Sequence, residues 1–108
     1  MKHFELIQQQ SVLQCVYQII ASADGELNEQ RDMKAIDLVM TQLGLETDEI
    51  WEKALSLNCY DAFTHLSQIP TDDKKALKTT LLQIAEMGGD TLTRKTCAEH
   101  ICHLVGCE

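Results

Sequence analysis

The chain has 108 residues, a net charge of −8, one proline, five cysteines and few aromatic side chains. This length suits a single domain, and so negative a surface repels phosphate backbones and anionic lipid, which argues against a nucleic-acid or membrane partner. An odd number of scattered cysteines does not make a secreted disulfide scaffold, and residues 1–20 lack a signal-peptide pattern, so we expect a cytoplasmic protein.

The spacing of apolar residues predicts an all-α single bundle of about six helices. The first helix is expected from about Lys2 to Ala23, and its wide apolar arc is typical of a central helix. Gly25 is suited to close it, and Asn28 to cap a second helix that ends at Leu43. The predicted buried stripe of the second helix comprises Met33, Ile36, Val39, Met40 and Leu43.

Two short helices are predicted in the middle of the chain. The third is capped by Thr47, which is followed by two acidic residues in its first turn. The fourth begins at Ser56 or Asn58, and Pro70 stops it because proline cannot continue a helix.

The last third of the chain predicts two further helices. Thr71, followed by two aspartates, marks the start of the fifth helix, which runs to about Met87. The Gly-Gly-Asp sequence at 88–90 breaks the chain, and Thr91 or Thr93 caps the sixth helix. Its predicted inward residues are Cys97, Ile101, Leu104 and Val105.

The two halves of the chain echo each other at an offset of 65 residues, without a gap. The matched apolar pairs are Val12 with Leu77, Val16 with Leu81, Ile19 with Ile84, Leu27 with Leu92, Ile36 with Ile101, Val39 with Leu104, and Met40 with Val105. One interpretation is an internal pseudo-two-fold repeat. The other is that helical periodicity makes any two amphipathic hairpins align this well.

Four short motifs resemble the TerB-like family, which includes tellurite-resistance proteins and the N-terminal region of a DnaJ-type co-chaperone. They are IASADGEL at 20–27, LGL at 43–45, LSQIPTD at 66–72 and IAEMGGD at 84–90. The resemblance implies an all-helical bundle with a pseudo-two-fold relation and acidic turns at one end, where divalent cations have been proposed to bind. It also implies a link to tellurite and other stress responses. The second turn departs from the family pattern because it lacks the A-D-G-E sequence.

The acidic turns predict a weak site for Ca²⁺ or Mg²⁺, which prefer hard oxygen ligands. The candidate ligands are Asp24, Glu26, Glu29 and Asp90. An EF-hand is excluded, because aligning Gly25 with the loop glycine puts Arg31 where the bidentate glutamate belongs. The alternative is that these residues serve only as turn and cap residues.

A second candidate metal site lies near the C-terminus. His100, His103 and Cys107 follow one another at three- and four-residue spacings, so on a continuous helix they share one side. Neutral histidine and cysteine thiolate are zinc ligands. The alternative is that Cys97 packs in the core while the two histidines lie at the surface.

The sequence predicts a non-catalytic binding module, existing as a monomer or weak homodimer. A pure protein-interaction module is the first alternative, with the acidic surface, or Leu38 and Trp51 if exposed, contacting a protein partner. A small metal- or thiol-dependent enzyme is the second, although no catalytic motif surrounds any cysteine.

Overall fold

The computed structural model is entirely helical over the residues that it describes, which confirms the all-α prediction. Those residues are 5–24, 29–44, 54, 56–87 and 91–107, with 23–24 and 29–32 described as backbone only. The helices are α1 (Leu6–Asp24), α2 (Glu29–Leu43), α3 (Cys59–Leu66), α4 (Thr71–Ala85) and α5 (Thr91–Val105). Of the helix predicted from Thr47, the structure describes Ala54, which is helical and fully buried. The predicted turn residues Gly25 and Asn28 lie outside the described residues.

Helix α1 lies at the centre of the bundle and contacts α3, α4 and α5. Every side chain from residue 9 to residue 16 is buried, so α1 is enclosed on all sides over two turns. This confirms the central position predicted from its wide apolar arc. The polar groups in this segment have partners: the Ser11 hydroxyl donates to the Ile7 carbonyl at 2.7 Å, and Gln14 reaches the segment that precedes α3.

The helices around α1 also pack against each other, and α2 joins the bundle through α4. Helix α5 lies against α1, α3 and α4, and α2 packs on α4. The radius of gyration is 12.2 Å, close to the value of about 13 Å typical of a compact domain of about 100 residues. No helix in the described part of the chain is long and apolar enough to cross a membrane. The largest fully buried apolar side chains are Val12, Leu13, Val16, Ile19, Ile20, Val39, Leu43, Leu66, Leu77, Leu81 and Ile84.

Two helix starts follow local sequence signals. The side chain of Asn58 caps α3 by accepting hydrogen bonds from the backbone N–H groups of Tyr60 at 2.8 Å and Asp61 at 3.4 Å. These bonds satisfy donors that have no partner within the helix. Helix α4 begins at Thr71, directly after Pro70, as predicted.

Helix α2 is rotated relative to the predicted stripe. Met33 is 50 % exposed, so its predicted burial is wrong, whereas Ala35 is buried and Leu38 packs against the core. Helix α2 contacts α4, and the Thr80 hydroxyl donates to Gln42 Oε1 at 2.8 Å between the two helices. The apolar pattern did not predict that the side of α2 with Gln42 contacts α4.

Helix α5 buries a stripe that passes through Arg94, Ala98, Ile101 and Cys102. Leu104 lies at the edge of this stripe and is 44 % exposed, so the prediction that it points inward is wrong. Arg94 is only 1 % exposed, which the sequence pattern did not predict.

Candidate functional site

The last turns of α1 and the first turns of α5 form an open groove of about 500 Å³. Its lining residues are Ser22, Leu92, Thr93, Thr96, Cys97 and His100. Deeper along the same pair of helices, the Cys97 thiol donates to the Gln18 carbonyl with a sulfur–oxygen distance of 3.7 Å. Because Cys97 meets Gln18 while Leu92 lines the groove beside Ser22, the two helices run antiparallel here. The end of α1 and the start of α5 are therefore at the same end of the bundle.

The predicted cation site is only partly covered by the described residues. Asp24 is the last residue of α1 and Glu29 is the first residue of α2, but their side chains lie outside the described part of the chain. Glu26 and Asp90 lie outside the described residues altogether. The Ca²⁺ or Mg²⁺ site therefore stays a prediction.

The residues of the predicted zinc site line two different cavities. His100 lines the groove at the start of α5, whereas His103 and Cys107 line a cavity at its other end. The three- and four-residue spacings share one side only of a continuous helix, and α5 ends at Val105, so Cys107 does not extend the helical side that carries His103. Within the described ranges, no group of three or more His, Cys, Asp or Glu side chains is arranged to hold a metal ion. Zinc binding stays a prediction without a described ligand set.

The C-terminal end of α5 brings two cysteines together. Gly106 has a φ of 85°, a left-handed conformation that favours glycine. The N–H of Cys107 donates to the Cys102 carbonyl at 2.8 Å, and the N–H of Gly106 donates to the His103 carbonyl at 3.2 Å. These bonds define a Schellman motif, which turns the chain back so that the residue after glycine packs on the residue five positions earlier. The thiols of Cys102 and Cys107 consequently hydrogen-bond to each other.

A small cavity of about 110 Å³ opens beside these two thiols. It is lined by Lys78, Leu82, Glu99, Cys102, His103 and Cys107. The Lys74 ammonium nitrogen lies 3.5 Å from the point that a Cβ on Gly106 would occupy. Cys102 and Cys107 are 4 % and 3 % exposed, so the pair is almost covered but borders a cavity with two lysines close by.

The contact makes the two thiols chemically unequal. The hydrogen bond from Cys102 lowers the pKa of Cys107, and the positive charges of Lys74 and Lys78 lower it further against the opposing effect of burial. The pKa of Cys102 is raised, because it gives its proton to the bond with Cys107 and is itself buried. Cys107 is therefore the member of the pair that ionises first, and the thiolate is the nucleophilic form of cysteine.

Two other cysteines are protected by their surroundings. Cys15 is fully buried in α1, and burial together with the nearby Cys107 raises its pKa. Burial also raises the pKa of Cys97, although a hydrogen bond with Ser22 opposes the shift. Both are less nucleophilic than an ordinary thiol near neutral pH.

The sequence pattern predicted Cys107 as a metal ligand and did not predict its contact with Cys102. The local signal was present, since Gly106 follows the last helical residue and favours a C-terminal turn of this kind. The two lysines could not be found from the sequence, because they come from α4, more than twenty residues earlier.

No family model, curated protein or solved structure matches this chain. The resemblance to the TerB-like family therefore rests on the four short motifs alone.

Proposed function

We propose that the protein is a cytoplasmic, TerB-like helical binding module that takes a divalent cation, Ca²⁺ or Mg²⁺, between its acidic turns. The observation that carries the proposal is the groove shared by Ser22, Leu92 and Thr93. Ser22 lies two residues before Asp24, and Leu92 lies two residues after Asp90. The described residues next to the two acidic segments, Ser22 before the first and Leu92 after the second, therefore border one groove, as a shared ion requires.

The packing of the helices supports the pseudo-two-fold repeat that accompanies this proposal. A repeat at an offset of 65 residues relates α1 to α4 and α2 to α5. The contact between α1 and α5 should then have a counterpart between α4 and α2. Both contacts exist, although the close packing of α4 on α5 has no comparable counterpart between the described residues of α1 and α2. The matched residues Val12 and Leu77 are also both fully buried. Within this proposal a sixth helix, capped by Thr47, completes the first half.

The charge of the chain supports cation binding rather than anion binding. Carboxylate oxygens are the ligands that Ca²⁺ and Mg²⁺ prefer, and a net charge of −8 attracts cations to the surface. Four carboxylates on two turns are fewer ligands than Ca²⁺ usually takes, so water completes the shell and the binding is weak. A weak site suits a module whose contact with a partner depends on the cation concentration, in line with the stress-response role that the resemblance implies.

The test is an amide chemical-shift titration of the full chain with Ca²⁺ and with Mg²⁺ at millimolar concentration. We expect shifts confined to residues 22–30 and 86–93, and their loss in Asp24→Asn and in Asp90→Asn. Asp72→Asn is the matched control, because Asp72 is an exposed acid in the first turn of α4, beside the opposite end of α5. Unchanged spectra, or shifts that survive both variants and vanish in the control, would rule out the proposal.

One observation favours a second candidate function, a protein-interaction module without a cation. Leu92 is 77 % exposed beside the groove, whereas Leu38 packs against the core and Trp51 lies outside the described residues. The expected occupant is a basic segment of a partner protein with one apolar side chain, since basic residues complement the net charge of −8.

A synthetic peptide of alternating lysine and leucine can represent this partner segment in a titration. Salt-sensitive shifts around the groove should then weaken in Leu92→Ser and persist in Tyr60→Ser, a control at an equally exposed apolar residue on α3. Equal binding by both variants would contradict a role for the groove. Native mass spectrometry of the same samples distinguishes the predicted monomer from a weak homodimer.

A further inference from the structure

We propose that Cys102 and Cys107 form an oxidisable dithiol, which a small hydroperoxide converts to an intrachain disulfide at the C-terminal end of α5. This inference does not depend on cation binding, because the pair lies at the opposite end of α5 from the groove. The geometry points to a disulfide in this protein because it supplies three parts of such a site: a resident pair of thiols, a cavity for the oxidant, and nearby positive charge.

The first part is the contact between the two thiols. The Schellman motif holds residues 102 and 107 together through the 2.8 Å hydrogen bond between their backbones. Disulfide bonds require Cα atoms no more than about 7 Å apart, and this turn is one that folds positions separated by five residues onto each other. Packing alone also accounts for such a contact, so the second and third parts decide between packing and chemistry.

The second part is the cavity, which limits the size of the oxidant. Its volume is about 110 Å³, and both sulfurs belong to side chains that are less than 5 % exposed. Hydrogen peroxide is close to water in size and fits this space. A bulky disulfide such as oxidised glutathione must expose the target sulfur for in-line attack, so a hydroperoxide is the favoured class of oxidant.

The third part is the positive charge of α4. Lys78 lines the cavity and Lys74 lies beside Gly106, so two lysines bring positive charge near Cys107. A cation close to a thiolate stabilises it, and also stabilises the hydroxide that leaves when a peroxide bond breaks. An apolar packing contact has no need for this arrangement.

The reaction balances with the peroxide as the only oxidant. The Cys107 thiolate attacks one peroxide oxygen, so that a sulfur–oxygen bond forms, the oxygen–oxygen bond breaks, and hydroxide leaves to become water. Cys102 then attacks the resulting sulfenic acid, forming the sulfur–sulfur bond and releasing a second water that carries the Cys102 proton. The two sulfurs lose two electrons in total, and the peroxide gains them.

The other cysteines are poor competitors for the intermediate. Cys97 is five residues before Cys102 on a regular helix, which separates the two residues by about 7.5 Å along the helix axis. The Cys97 thiol also donates a hydrogen bond to the Gln18 carbonyl on α1. Cys15 is near the pair but is completely buried in α1, whereas Cys102 lines the same cavity as Cys107. The resolving thiol is therefore Cys102.

The test treats the folded full chain with stoichiometric hydrogen peroxide, alkylates the remaining thiols after denaturation, and maps the products by mass spectrometry. Trypsin cuts after Lys95 and releases a peptide, residues 96–108, that holds three cysteines. The Cys97→Ser variant removes the ambiguity. In it, the peptide should lose two hydrogen atoms and resist alkylation until a reductant is added.

Variants at each position separate the two roles. Cys107→Ala and Cys107→Ser should abolish the disulfide, whereas Cys102→Ala and Cys102→Ser should leave a sulfenic acid at residue 107 that dimedone traps. Using both replacements keeps the result interpretable if one of them fails to fold, which circular dichroism reports. Cys59→Ala is the matched control at a half-buried cysteine on α3, and it should lose the same two thiols as the parent chain.

Three outcomes would overturn the proposal. One is a disulfide that joins Cys107 to Cys15 or to Cys97. Another is oxidation of Cys107 to sulfinic acid without a disulfide in the parent chain. The third is retention of all five thiols at peroxide concentrations that already oxidise methionine.

Discussion

Replacing Gln14 with leucine tests how α1 holds the segment that leads into α3. Gln14 is 3 % exposed, and its side-chain nitrogen donates to the Ala54 carbonyl at 2.8 Å and to the Leu57 carbonyl at 2.6 Å. Leucine has nearly the same size but cannot donate a hydrogen bond. The variant therefore removes both bonds, and with them the 3.1 Å bond that Gln14 Oε1 accepts from Gln18, while leaving little empty space.

The loss of hydrogen bonds differs between the two carbonyls. The Ala54 carbonyl keeps a hydrogen bond from the N–H of Leu57 at 3.2 Å, so its loss is a single bond worth about 1 kcal/mol. The Leu57 carbonyl loses its side-chain donor within a partly buried contact, which costs about 1–3 kcal/mol. We expect Gln14→Leu to lower the free energy of unfolding by about 2–4 kcal/mol, a large part of the roughly 5–15 kcal/mol of a small domain.

Equilibrium urea unfolding followed by circular dichroism measures this loss. With a urea dependence of about 2 kcal/mol per molar, the middle of the range usual for small proteins, the midpoint should fall by roughly 1–2 M. The matched control is Gln18→Leu, one turn later on α1, which loses only a 3.1 Å bond to Gln14 and should cost less than about 1 kcal/mol. A Gln14→Leu variant as stable as the parent chain, or no less stable than the control, would refute the assignment of this contact.

Three further outcomes follow from the helix ends and the thiols. Gly106→Ala should lower the unfolding free energy by about 1–2 kcal/mol, because a φ of 85° strains a residue with a Cβ, while the 3.5 Å approach to Lys74 is an ordinary contact; thermal unfolding measures it. Asn58→Ala should cost about 1 kcal/mol and Asn58→Asp much less, since aspartate retains a capping oxygen; urea unfolding of the pair measures the difference. Iodoacetamide should modify Cys107 at a lower pH than it modifies an unstructured cysteine peptide, because the lowered pKa supplies thiolate earlier as pH rises. In the same samples Cys15, with its raised pKa and complete burial, should react only on unfolding. Mass spectrometry measures the modification of each cysteine. A pH profile of Cys107 that coincides with that of the peptide would contradict the first statement, and modification of Cys15 in the folded chain would contradict the second.

The helices and several of their ends could be predicted because their signals are local. Asn58 has a side-chain oxygen that reaches the first free N–H groups of α3, and Gly44 takes a φ of 63° directly after α2. Each signal depends on neighbours within four residues along the chain. The central position of α1 was also predictable, since its apolar arc is too wide for contact on one side only.

The side on which each helix is buried could not be predicted so well, because it depends on partners that are distant in sequence. The apolar pattern of α2 placed Met33 in the core, but the hydrogen bond between Gln42 and Thr80 belongs to the side that meets α4. The burial of Arg94 could not be predicted either, because a pattern of apolar spacings does not include a charged residue on the inner stripe of α5.

The observed arrangement of residues near the C-terminus differs from the predicted metal site because of the backbone conformation. Spacings of three and four residues favour a shared helical side only while the helix continues, and α5 stops at Val105. Beyond that point the left-handed turn at Gly106 packs Cys107 on Cys102, while His103 lines the same cavity. One glycine therefore decides whether the same residues resemble a metal site or a dithiol.

The two proposed sites lie at opposite ends of one rigid element, which makes them separable by experiment. Helix α5 has 15 residues, a length of about 22 Å at 1.5 Å per residue. This distance exceeds the Debye length of about 8 Å at physiological ionic strength, so a cation near Thr91 has little direct electrostatic effect on the thiol of Cys107. Coupling between the ends would have to pass through packing, and α1 is the element that can carry it, because Ser22 borders the groove while Cys15 lies near Cys107. A cation response that changes on oxidation of the dithiol would thus report a movement of α1 and not an interaction between charges.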